Sequence, residues 1–203
     1  MTRARQTDLL NCVVFGAGVL FAAFVPAFAQ DATRGIVTTI DLKACKLVKK
    51  HADGNSWICK GLSAYPVYVA EGDLRFFVSV GVAPEKRRAA QQTLKPFNTL
   101  FPGKTTRTSI EWRVGGTSAA RTPYATIIRY HTMRDEQGGQ TQRGEVLVVS
   151  KVSAEETCHL AVIDALATPN AMEMARRIAD ERASPFSCKD DPKIEGQTGK
   201  SPM

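Results

Sequence analysis

The sequence predicts an α+β fold: a single domain on a mostly antiparallel sheet of about eight strands, with two helices on one face. Three observations carry this. Short β-branched and aromatic runs alternate with period two, as where Leu74, Phe76, Val78 and Val80 share one face. Turn formers separate the runs at short intervals. Twice an apolar run leads through a proline into helical signals, at Ala83-Pro84 and at Thr168-Pro169.

Residues 1–29 stand outside that fold. Arg3 and Arg5 make a positive start, Leu9–Phe24 is apolar but for Asn11 and two glycines, and Ala27-Phe28-Ala29 offers the small residues a signal peptidase reads. Cleavage is expected before Gln30. A retained anchor would need about 20 continuous apolar residues, and Pro26, Asn11 and the glycines interrupt this one. Cys12 lies too early in the leader for a lipoprotein. The mature chain is therefore expected in the periplasm or outside the cell, with no second span.

Residues 30–188 form the domain. Ile36–Val48 reads as the first strand and Ser56–Leu62 as its partner across the turn formers His51 to Ser56. Tyr65–Ala70 and Leu74–Val82 flank Glu71-Gly72-Asp73, a hairpin signal. Pro84-Glu85 opens a short helix to about Leu94, with proline and glutamate suited to its first turn. In Thr108–Val114, Ile110, Trp112 and Val114 point inward and Glu111 and Arg113 outward. Tyr124–Thr132 follows, then a polar loop at Asp135–Arg143. Glu145–Val152 is apolar enough to be a central strand, and Cys158–Leu166 is the last. The final helix is capped by Thr168 before Pro169, or by an Asn170/Glu173 box, and buries Ala171, Met174, Ala175 and Ile178. Glu173–Arg177 and Arg177–Glu181 add helical charge pairs. The tail, 189–203, is polar and expected to be disordered. Four strands and a helix thus occur twice; shared strand–loop–helix grammar explains this more simply than a diverged duplication.

The mature chain keeps Cys45, Cys59, Cys158 and Cys188, which in an oxidising compartment read as two disulfides. Cys45 and Cys59 sit at similar distances from a hairpin tip. For the second pair, a strand of about ten residues runs out roughly 33 Å, and a helix of about fifteen returns roughly 22 Å. Cys188 can then reach Cys158. No C-x-x-C pair supports redox catalysis, and zinc-ligand spacings are missing.

The chain carries 27 Lys+Arg against 20 Asp+Glu. In a cytosolic protein that balance would suggest nucleic acid; the leader argues against it and favours acidic envelope polymers, anionic headgroups or a solvated surface. No G-x-S-x-G, H-E-x-x-H, phosphate-loop or dinucleotide fingerprint occurs, and no cofactor or metal is expected. His159 adjoins Cys158, but neighbouring strand residues face opposite ways. Asp164 interrupts an apolar strand and is either an acid with a raised pKa or, more simply, a strand-end hydrogen-bonding group. The best binding candidate is Arg113, Arg129, His131 and Lys151, outward residues of neighbouring strands, with Trp112 and Tyr130 beneath them. If the register aligns them they form a basic patch for a carboxylate or phosphate. A second basic cluster, Lys43, Lys46, Lys49, Lys50, His51 and Lys60, surrounds the first hairpin and reads as edge protection.

Three stretches together resemble a group of small exported bacterial proteins: Tyr65 to Arg75, the strand Ile110-Glu111-Trp112-Arg113, and Cys158 through Ile163-Asp164-Ala165-Leu166 with its arginine-bearing helix. The resemblance implies export and a single domain, and no activity, substrate or catalytic residue. The expectation is an exported accessory protein that binds an anionic envelope component or a protein partner. The competing reading is an envelope hydrolase whose site is assembled from distant positions.

Overall fold

A computed structural model of the chain describes residues 34–116, 121–135 and 139–203. The leader and Gln30 lie outside them. Eleven strands and one α-helix occur among the described residues: β1 (Arg34–Asp41), β2 (Lys46–His51), β3 (Gly54–Leu62), β4 (Tyr65–Gly72), β5 (Arg75–Val80), β6 (Phe97–Thr99), β7 (Arg107–Gly115), β8 (Thr122–Asp135), β9 (Thr141–Val152), β10 (Thr157–Asp164), α1 (Ala171–Arg182) and β11 (Lys193–Glu195).

The expected single sheet is two. The longer runs β1-β7-β8-β9-β10-β11 with β6 added to β8, and the shorter runs β2-β3-β4-β5. Every pairing is antiparallel except β10 with β11. The expected first strand, Ile36–Val48, is divided by a 3-10 turn at Leu42–Ala44, where Asp41 accepts a hydrogen bond from Lys43 N. Upstream of the turn the chain pairs with β7, and downstream with β3. That turn carries the chain between sheets.

Period two then sorts the side chains into two cores. Ile110, Trp112, Ile128, Tyr130, Val146 and Val148 of the long sheet pack against Val67, Val69, Phe76, Val78 and Val80 of the short one. The alternate residues Ile127, Leu147, Val149 and Ile163 pack against Ala175, Ile178 and Ala179 of α1. The alanines at every fourth position let the helix approach closely. The result is three layers, helix on long sheet on short sheet. Both strands of the β8–β9 hairpin extend into the expected 135–143 loop, pairing Met133 with Arg143 and Arg134 with Gln142. The polarity there reflects exposure, not lack of pairing.

The helix expected from Pro84 does not form. Pro84–Lys86 and Arg88–Gln91 are separate 3-10 turns around an extended Arg87. The Arg87 guanidinium donates to Val82 O at 2.9 Å and Ala154 O at 3.0 Å, and Gln92 Oε1 accepts from His159 N at 2.9 Å. These tertiary anchors draw the segment across the sheet edges. The cap of α1 also differs: Asn170 is left-handed and makes no side-chain cap bond, while Thr168 Oγ1 exchanges hydrogen bonds with the Gln197 backbone.

The expected disorder of 189–203 is a further correction, because Lys193–Glu195 adds to β10 as β11 and Ser201 is buried. Asp164 holds this tail. Its two oxygens accept from Leu166 N, Ala167 N, Lys200 N, Ser201 N and Ser201 Oγ. Burial pushes its pKa up, but those hydrogen bonds outweigh it and hold the carboxyl below the usual range. The structure contains the disulfides Cys45–Cys59 and Cys158–Cys188, separated by 14 and 30 residues. Each stabilises the fold by roughly 3 to 4 kcal/mol in the chain-entropy model. The second ties the chain after α1 to the start of β10.

His159 pairs across the ladder with Ser150 and is fully buried between the sheets. Burial, then the Arg88 charge, lowers its pKa from 6.5 to about 4. The unfolded chain therefore binds a proton in this window that the folded chain refuses. Stability is fully present above pH 6.5 and falls as pH drops toward 4, by up to about 3 kcal/mol. Urea denaturation between about pH 7 and about pH 4 should show a shallower decline in His159→Gln than in the wild type; parallel profiles would refute the assignment.

Candidate functional site

The outer face of the long sheet holds all four predicted basic residues. Register places Arg113, Ala125 and Lys151 in one cross-strand row, Arg129 beside Leu147, and His131 beside Glu145. Trp112 and Tyr130 alternate onto the opposite face, in the core between the sheets. The four cations nevertheless do not converge. Arg129 lies four positions along β8 from Ala125, roughly 13 Å along the strand. Arg113 and Lys151 lie at one end of the face and Arg129 and His131 at the other.

The first pair is consumed by docking the helix. Arg113 donates to both Asp180 oxygens at 2.8 Å and to Glu111 Oε1 at 3.2 Å. Arg176, one helical turn before Asp180, holds both Glu111 oxygens at 2.9 Å, and Tyr124 donates to Asp180 Oδ1 at 2.7 Å. The Asp180 hydrogen bonds raise the Arg113 pKa further. At Glu111 burial pushes the pKa up, but Arg176 and Arg113 together hold the carboxyl below its usual range. Lys151 donates to Phe186 O at 2.6 Å and lies 3.6 Å from Glu156. These are structural ion pairs, and Arg113 and Lys151 are removed from the anion-site reading.

The second pair opens onto a groove of about 310 Å³ beside the start of α1. Val37, Ile127 and Met172 give it apolar walls; Ser109, Glu111, Arg129 and His131 supply polar atoms. Arg129 Nη1 bonds Glu145 Oε2 at 2.5 Å, and His131 Nδ1 lies 3.7 Å from Glu145 Oε1. The other Arg129 nitrogens make no hydrogen bond among the described residues, and the side chain is 39% exposed. Burial lowers the His131 pKa, Glu145 raises it and Arg129 lowers it again, leaving it below 6.5 and the ring neutral at pH 7.

Among the described residues no hydroxyl hydrogen-bonds the His131 ring, and Asp164 is committed to the tail. A nucleophile with its base in reach is not assembled at either position. No group of three or more His, Cys, Asp or Glu able to hold a metal occurs among the described residues. Lys43, Lys46, Lys49, Lys50 and Lys60 are exposed around the edge strand β2, none of them ion-paired among the described residues. Val37, Ile127 and Met172 escaped the sequence reading because their only signal is proximity across strands and helix. No family model, curated protein or solved structure matches the chain.

The helix-docking lattice can be tested by breaking one partner. Asp180→Ala leaves Arg113 largely buried beside an empty place and should cost about 2 to 3 kcal/mol in chemical denaturation. Arg113→Met with Asp180→Leu together should cost clearly less than Asp180→Ala alone. A double variant as unstable as the two single losses added would show that the pair does not act as a unit.

Proposed function

We propose that the chain is an exported binding protein, periplasmic or secreted after cleavage before Gln30, whose groove beside α1 takes an anionic group of an acidic envelope polymer. The observation that carries this is Arg129, a guanidinium with donors left open on an apolar floor. An anion can add to its open side without displacing Glu145, while neutral His131 offers a hydrogen bond and no charge. The two disulfides, and the absence among the described residues of any helix long and apolar enough to cross a membrane, fit an extracellular or periplasmic protein. The resemblance to small exported proteins belongs to the same proposal.

N-terminal sequencing of exported material should begin at Gln30; recovery of intact Met1 in membrane fractions would contradict it. For the groove, Arg129→Ala should weaken binding to a polycarboxylate glycan at least fivefold with a nearly unchanged Tm, since a half-exposed ion pair contributes little stability. Neutralising Lys49 and Lys50 should have a smaller effect. Equal losses in the two variants would mean attraction by diffuse net charge. Retention of a protein partner with no glycan binding would move the reading to a protein ligand.

A further inference from the structure

A second pocket lies at the end of the sandwich, where the β4–β5 turn, the loop after β6 and the β8–β9 hairpin meet. Its volume is about 290 Å³, at the small end of the range for bound small molecules. Buried Phe76 and Thr132 line it, together with Leu74 and Met133. Phe101 packs edge-on against Phe76 with ring centroids 5.4 Å apart, so an aromatic contact already exists beside the pocket wall.

Three features set this pocket apart from an accidental gap. The first is Thr132 Oγ1, buried with no hydrogen-bond partner, a state that costs free energy until something supplies one. The second is Arg143, exposed and without an ion pair among the described residues. The third is the turn itself. Asp73 and Leu74 both have left-handed backbones, φ 48° and 57°. A branched leucine there is strained where glycine or asparagine would be at ease. The strain is locked by Asn98 N donating to Leu74 O and by Arg75 bonding Asp73, and it leaves Leu74 65% exposed beside the pocket. Strain of this kind is retained where it positions a group for a ligand.

We propose that this pocket binds a small aromatic carboxylate. The ring lies against Phe76, Leu74 and Met133, the carboxylate meets Arg143 at the rim, and Thr132, whose hydroxyl is sealed and unpartnered, turns it toward a polar atom on the far side of the ring. Among the described residues Glu71 is the one acid lining the pocket. It is exposed, so water and salt screen its repulsion. The pocket shares His131 with the groove at Arg129, but Arg129 does not line it and the proposal does not depend on that reading.

Calorimetric titration of the mature protein with 4-hydroxyphenylacetate, phenylacetate and tyramine tests it. 4-Hydroxyphenylacetate should bind several-fold more tightly than phenylacetate, and tyramine, with a cationic head, should not bind measurably. Arg143→Gln should weaken both carboxylates about tenfold. Thr132→Val, which keeps the shape and removes the orphan hydroxyl, should abolish the difference between them. Leu74→Gly relaxes the turn and should weaken binding several-fold while the Tm holds or rises. Arg129→Ala should leave the affinity for both aromatic carboxylates within about twofold, because Arg129 does not line this pocket. Tyramine binding as tightly as 4-hydroxyphenylacetate, or indifference to Arg143→Gln, overturns the proposal. Loss of carboxylate binding in Arg129→Ala with Arg143→Gln unaffected would place the ligand in the groove and overturn it too.

Discussion

A long sheet apolar on both faces must be covered on both, and the two covers here are unequal. The inner face meets the four strands of the short sheet. The outer face meets one helix of 12 residues, about 18 Å long. The β8 strand beneath it has 14 residues, roughly 46 Å if fully extended. One helix cannot cover that length. Where α1 reaches, the strands carry Ile127, Leu147, Val149 and Ile163; where it stops, they carry Arg129, His131 and Glu145. The groove follows from that mismatch.

The same cover explains why half of the outer basic residues are structural. A charged residue beneath a helix must be paired, since its desolvation otherwise costs several kcal/mol. Glu111 and Arg113 meet Arg176 and Asp180 in an alternating chain that orients α1 on β7. Outside the helix the demand is weaker, and Arg129 can keep donors open. One face thus contains a closed electrostatic clamp and an open polar groove, separated by about four residues of β8.

Other edges are closed by backbone-seeking side chains. Asn98 and Thr93 engage the Phe76 backbone and Thr157 engages Val80 O on β5. The arginine-anchored segment after Pro84 bridges to β10, and Asp164 gathers the C-terminal tail through three hydrogen bonds. The closure at β5 also shapes the sandwich-end pocket, because Asn98 holds both the β5 backbone and the strained turn at Leu74.

Much of the local grammar was legible in the residues themselves. The alternation of Ile110, Trp112 and Val114, the Glu71-Gly72-Asp73 turn, the buried Ala171, Ala175 and Ile178 of the last helix (its expected Met174 is only half-buried) and the cysteine spacing each report a short-range constraint of backbone period or chain length. What they could not report was whether one strand-like run serves one sheet or two, as Ile36–Val48 does, because only a turn at Leu42 and a distant partner decide it. Nor could they show that Pro84–Leu94 is drawn out of helix by Arg87 and Gln92, or that a polar tail is ordered by the carboxylate of Asp164. Outward residues such as Arg113 and Arg129 read identically in a strand. Tertiary structure separated them, because desolvation beneath α1 compels one to pair completely while water leaves the other open.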